Sequence, residues 1–236
     1  MVITDVEGRY PEFLCQVHKL IAKTLNAHWG RWENLWASEQ TSVVELTDEA
    51  SVLDKIAYTL ANPASAHLVA SIDEWPGASS WDAMDGRMLE LRRPGWFFDA
   101  KGPMPETVKT RYEVPPAFTG TSRANWAKLV RAEVRKRERA AAREREELGL
   151  EVMGRQMVMR QSAFEKPKTS APRRGLKPRV AGKNKWRRVE ALQRNKAWLE
   201  AYRAAFTRLR AGFTDAVFPA GTYELFRLGL VACHPL

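Results

Sequence analysis

Residues 57–63 read Ala57-Tyr58-Thr59-Leu60-Ala61-Asn62-Pro63, and the chain continues through His67-Leu68-Val69 to Glu74-Trp75-Pro76-Gly77-Ala78-Ser79-Ser80-Trp81. Val52, Leu53, Ile56, Ala57 and Leu60 recur at three- and four-residue steps, which predicts an amphipathic helix. Thr47 or Asp48 can cap its start, and acidic residues fill the first turn, where the helix dipole favours negative charge. Pro63 stops or bends it, because proline has no amide hydrogen to give the preceding turn. Tyr58 and Asn62 are four residues apart and so share one face of this helix. The stretch from Ile72 to Gly95, with Pro76, Gly77, Ser79 and Ser80, reads as loop-rich.

Upstream, Phe13, Leu14, Val17, Leu20, Ile21 and Leu25 predict a helix that follows Pro11 and ends near Gly30. Residues 1–5 read as the tail of a strand, and Trp36 to Leu46, with Thr41, Val43 and Val44, as a second strand. Downstream, Trp96–Phe98 and Val108–Val114 are expected as the short strands of a hairpin-like appendage. Ser122 opens a helix running to about Leu148, apolar at Trp126, Leu129, Val130 and Val134. Beyond Val134 the pattern is polar all round, which predicts a segment projecting into solvent or lying on a charged partner. A last helix from about Arg187 to Ala211 carries Val189, Leu192, Trp198, Leu199, Tyr202, Phe206 and Leu209, and a compact piece begins at Phe218. The fold class read from these elements is α+β.

Charge divides the 236 residues unevenly. Residues 1–120 hold 11 basic and 17 acidic side chains, net −6, whereas residues 121–236 hold 27 basic and 11 acidic, net +16. Within the second half, ten cations fall between positions 166 and 188 with no acid among them: Lys166, Lys168, Arg173, Arg174, Lys177, Arg179, Lys183, Lys185, Arg187 and Arg188. Prolines and glycines interrupt residues 164–186, so this stretch cannot build a core and reads as a basic linker. Its direct physical use is phosphate binding by counterion release, with Trp186 as a stacking surface. No apolar run is long enough to span a membrane and no secretory leader is recognisable, so the expected location is the cytoplasm and no membrane partner is expected. Cys15 and Cys233 make neither a disulfide framework nor a metal-ligand spacing. The four histidines, His18, His28, His67 and His234, include no His-x-His or His-Glu-x-x-His, so no His-based zinc site is predicted.

Three separated patches, in order, resemble the REP-associated tyrosine transposases, small single-tyrosine members of the HUH nuclease class. They are Gly30-Arg31-Trp32-Glu33-Asn34-Leu35-Trp36, the Tyr58 to Asn62-Pro63 helix, and Glu74-Trp75-Pro76 with its Ser79-Ser80 pair; together they fall within residues 9 to 82. The resemblance implies a partial ferredoxin-like HUH core with a mainly helical, basic extension. It also implies Tyr58 as the nucleophile that attacks a backbone phosphate of single-stranded or hairpin DNA, and Asn62 as the helix-borne ligand of a divalent metal, Mg²⁺ or Mn²⁺. A phenol, with an ordinary pKa of about 10, needs such help at neutral pH.

The departure from the family pattern is the missing His-x-His strand, whose place falls where Met1 to Asp5 stands. Oxygen ligands from Asn62 and Asp5 cannot replace two imidazoles. The expectation is therefore a transposase-related protein that does not nick DNA as given, its start internal or its gene decayed, unstable alone for want of its first strands. The alternative is a non-enzymatic nucleic-acid-binding remnant or domesticated relative. DNA is the expected partner and a homodimer is admitted. The organisation read from the chain is a partial transposase-like domain at 1–82, a loop-rich connector at 83–120 and a long charged helix with a short tail at 121–163. The basic linker at 164–186 and a C-terminal helix and compact tail at 187–236 complete it.

Overall fold

The computed structural model describes residues 1–37, 41–165 and 177–234. Their elements follow the order α1 Tyr10–Trp29, β1 Glu45–Leu46, α2 Glu49–Ser65, β2 Leu89–Arg92, β3 Thr107–Thr110, α3 Arg123–Leu148, α4 Arg155–Arg160, β4 Val180–Ala181, α5 Lys185–Arg210, β5 Val217–Phe218, α6 Glu224–Arg227 and β6 Ala232–Cys233. This is an α+β chain dominated by helix, and its described strands pair no more than two to a sheet. Two units result. The first gathers Met1–Val2, Leu46–Arg93 and Pro103–Lys183; the second gathers Ile3–Glu45, Pro94–Gly102 and Asn184–Leu236. Residues of the 1–82 segment contribute to both. No described helix is long and apolar enough to cross a membrane.

In the first unit α2 packs on α3. Asp48 starts α2, its carboxylate accepting the Ser51 amide at 2.8 Å, and Pro63 lies inside a helix that runs on to Ser65. Ala57, Ala61 and Ala64 are buried along α2, as are Ala127 and Ala141 along α3. Small side chains at these positions let the two backbones come close, and Leu60, Ile72, Trp81, Met84, Trp126, Val130 and Val134 fill the space around them. Phe118 packs on Trp126 with ring centres 4.6 Å apart. β2 and β3 form an antiparallel hairpin in the register Leu89 to Thr110 through Arg92 to Thr107. Thr47 donates its amide to the Ala181 carbonyl at 3.0 Å, and the Lys183 amide donates to Ser51 Oγ at 3.1 Å.

The charged half of α3 does not project freely into solvent. Glu138, 7% exposed, accepts the Ile72 amide at 2.7 Å and an Arg135 guanidinium hydrogen at 2.7 Å. Arg135 also donates to Asp73 at 2.5 Å, while Asp73 accepts the Trp81 indole N–H at 2.7 Å. Arg137 pairs with Asp54, and Arg145 donates to the Ala64 carbonyl at 3.4 Å near the C-terminal end of α2. The periodicity of apolar residues missed this because arginine lays its aliphatic stem on a partner while its head group finds acids and carbonyls.

Three further expectations are corrected. Residues 1–5 form no strand. Of the stretch from Trp36 to Leu46 only Glu45–Leu46 is strand, with 38–40 outside the described residues. The hairpin exists, but its first strand is Leu89–Arg92; Trp96–Phe98 turns instead, with the amides of Phe97 and Phe98 donating to the Pro94 carbonyl at 3.2 and 3.3 Å. Proline at 94 and glycine at 95 favour that turn over an extended run.

In the second unit α5 and β5 hold a small aromatic core. Trp198, Tyr202 and Phe206 stack along α5 with centres 5.3 and 6.1 Å apart, and Tyr202 meets the fully buried Phe218 edge-on at 5.3 Å. The Trp198 indole donates to the Ala220 carbonyl at 2.7 Å. α1 ends, as its sequence predicts, at Gly30 in the left-handed region, φ 62°. No residue of α1 is fully buried.

Candidate functional site

Burial of Ala57, Leu60, Ala61 and Ala64 against α3 fixes which side of α2 faces out. Tyr58 is on that outer side, 51% exposed, and Asn62, also exposed, follows one turn later at a rise of about 6 Å. The pairing read from the sequence is therefore present as a solvent-facing phenol and amide on one helix face.

Two cations flank the tyrosine. Lys55 Nζ is 5.6 Å from the Tyr58 ring centre and the Arg137 guanidinium carbon is 5.9 Å from it. Both are tied to Asp54, Lys55 at 3.2 Å. Burial raises the Asp54 pKa, but the Lys55 hydrogen bond and the Arg137 charge outweigh it and hold the carboxyl below its ordinary range. Arg137 Nε is buried with no hydrogen-bond partner, so this guanidinium has an unused donor. Lys55 was legible as a neighbour of Tyr58, three positions before it on the helix. Arg137 was not, since nothing in the sequence ties a residue of α3 to one of α2.

At the far end of α2 the chain turns at His67, φ 56°, whose carbonyl accepts the Met153 amide at 2.9 Å. Its imidazole Nδ1 is buried without a partner. The Leu68 carbonyl accepts the Gly154 amide at 2.9 Å, so the segment after α3 is pinned here.

A divalent metal does not fit the described residues. Asn62 offers one carbonyl oxygen, and no group of three or more His, Cys, Asp or Glu among the described residues could complete a coordination shell. Asp5, the other oxygen considered, accepts the Arg9 and Tyr10 amides at 2.9 and 3.0 Å and so serves the start of α1.

The basic segment divides between three places. Lys166, Lys168, Arg173 and Arg174 lie outside the described residues. Lys177, Arg179 and Lys183 are exposed in the first unit. Lys185, Arg187 and Arg188 form the first turn of α5 in the second, so that helix starts two residues before its expected position. Asn184 caps it, accepting the amides of Trp186 at 2.9 Å and Arg187 at 3.2 Å. Trp186 is 76% exposed with Lys185 Nζ 5.8 Å from its ring centre, an arrangement able to stack a base beside a cation.

No protein-family model, curated protein or solved structure matches this chain.

Proposed function

We propose that this chain is a DNA-binding protein related to the REP-associated tyrosine transposases, and that it binds single-stranded or hairpin DNA without cutting it. The observation that carries the reading is the outward pair Tyr58 and Asn62, one turn apart beside Lys55 and Arg137. A phosphate brought to this face would meet the Lys55 and Arg137 cations and a phenol able to stack or donate a hydrogen bond. On this reading α2 is the tyrosine helix of a partial ferredoxin-like HUH core, and the basic residues from Lys166 to Arg188 grip backbone flanking the site. Strand cleavage in such a core would need a metal to polarise the phosphate and stabilise the leaving oxygen. The residues around Asn62 offer too few ligands to hold one, so binding rather than nicking is the activity proposed. The expected location is the cytoplasm.

The test is a labelled hairpin oligonucleotide with single-stranded flanks, incubated with the full chain and Mg²⁺ or Mn²⁺. Expected are binding that weakens steeply with salt, a log–log slope of at most about −7 if all ten cations of the segment touch phosphate, and no covalent product. A DNA adduct abolished by Tyr58→Phe would overturn the non-nicking part. Absent or salt-insensitive binding would overturn the whole reading.

A further inference from the structure

We infer that the outward face of α5 is a nucleic-acid backbone surface, carried by Lys196, Arg203 and Arg210; this rests on the DNA-binding reading above and extends the cationic surface beyond the 166–188 segment.

The argument begins with helical geometry. Lys196, Arg203 and Arg210 are spaced by seven residues, and at 100° per residue they fall within about 40° of one another around the axis, over a length of about 21 Å. Lys185 lies on the same line eleven positions earlier, so the stripe continues the basic segment onto rigid helix. All of these side chains are exposed. The opposite side of α5 is occupied by the aromatic stack and by Ala191 and Ala205, both buried.

The pattern of pairing separates this stripe from an ordinary solvated face. The flanking cations of α5 are spoken for: Arg194 pairs with Glu45, and Arg208 with Asp215 at 3.2 Å. On the stripe, Arg203 and Arg210 pair with no acid among the described residues, and Lys196 reaches Glu200 only at 3.9 Å, with both side chains mostly exposed. Arg210 stands in the last turn, where the helix dipole alone would favour a cation, but Lys196 and Arg203 are mid-helix, where it gives no such reason. A line of exposed cations at fixed spacing on a rigid element, of which only Lys196 has an acidic neighbour, complements a polyanion that is itself linear. Trp186, exposed at the head of the helix, adds a face for a base. Contacts of this kind reach phosphates and carry no sequence information, so binding through α5 is indifferent to base order.

The test uses the full chain and a labelled 30-nucleotide single strand, with affinity followed by fluorescence anisotropy from low to moderate salt. The triple variant Lys196→Gln, Arg203→Gln, Arg210→Gln is expected to flatten the log–log salt slope by about 2 and to bind about 100-fold more weakly at 0.1 M salt. The charge-keeping triple Lys196→Arg, Arg203→Lys, Arg210→Lys should match wild type. Loss in both triples would place the effect in packing and overturn the inference. An unchanged slope in the glutamine triple, with a reduced slope when Lys177, Arg179 and Lys183 are neutralised, would overturn the α5 surface while leaving the proposed function standing. No salt-dependent binding by the wild type would overturn both. If the glutamine triple loses binding to phosphatidylserine vesicles but not to DNA, the face belongs to a membrane surface and the inference is wrong.

Discussion

Among the described residues Glu138 is one of two carboxylates that are buried, and it accepts hydrogen bonds from a guanidinium and a backbone amide. Glu138→Ala leaves the Ile72 amide without its acceptor and Arg135 without one of two partners, an expected loss of about 2 to 3 kcal/mol of unfolding free energy, to be read from urea titration. Asp73 gives this cluster a pH signature. Its hydrogen bond from Arg135 chiefly holds its pKa below the ordinary value, burial opposes this, and the Trp81 indole adds to the lowering. A depressed folded-state pKa means stabilisation fully present above the unfolded carboxylate pKa of about 4 and lost as pH falls through the folded value. Wild type should therefore lose stability between about pH 5 and pH 2 more steeply than Asp73→Asn, in thermal melts across that range; parallel curves would rule the linkage out. Tyr58→Phe removes an exposed hydroxyl with no bonding role in the core, so its melting curve should overlay that of wild type, whereas the proposed function expects weaker binding of the hairpin oligonucleotide.

At the scale of elements, the caps were the most legible features. Asp48 before a run of helix-period apolar residues and Ser122 before Trp126 each mark a start, because a short side-chain oxygen satisfies amides that the first turn leaves bare; both do so here, Ser122 accepting the Asn125 amide at 3.3 Å. Asp48→Ala should cost about 1 kcal/mol by loss of that cap, seen as a lower melting temperature with unchanged helix content in the cold. Gly149 ends α3 at φ 62°, where an added Cβ would meet nothing within 4 Å. Gly149→Ala therefore costs only the backbone term, about 1 kcal/mol. Strand positions were harder to read. Val43 and Val44 are β-branched yet lie outside β1, since a strand needs a partner and residue type cannot supply one. The docking of Arg135, Arg137 and Arg145 was illegible for a related reason: each depends on an acid or carbonyl 60 or more positions away, a relation that no local spacing encodes. The candidate site divides the same way. Tyr58, Asn62 and Lys55 follow from one helix, whereas Arg137 enters from another.

At the scale of the molecule, the two units differ in what holds them. The first has a continuous interior of two tryptophans, aliphatics and alanines between α2 and α3, while the buried cluster of the second is formed by Ala205, Ala216 and Phe218. Phe218→Ala should cost that smaller core about 3 to 4 kcal/mol. Amide hydrogen exchange should then rise in α5 and stay protected in α2 and α3; uniform loss of protection would mean that the units unfold as one. The pairing of α2 with α3 also has a consequence during synthesis. The Asp54 and Arg137 that join them are 83 positions apart. A ribosome adding about 5 to 20 residues per second holds α2 exposed for roughly 4 to 17 s before that partner exists, long enough for a chaperone or an early binding partner to reach the nascent helix first.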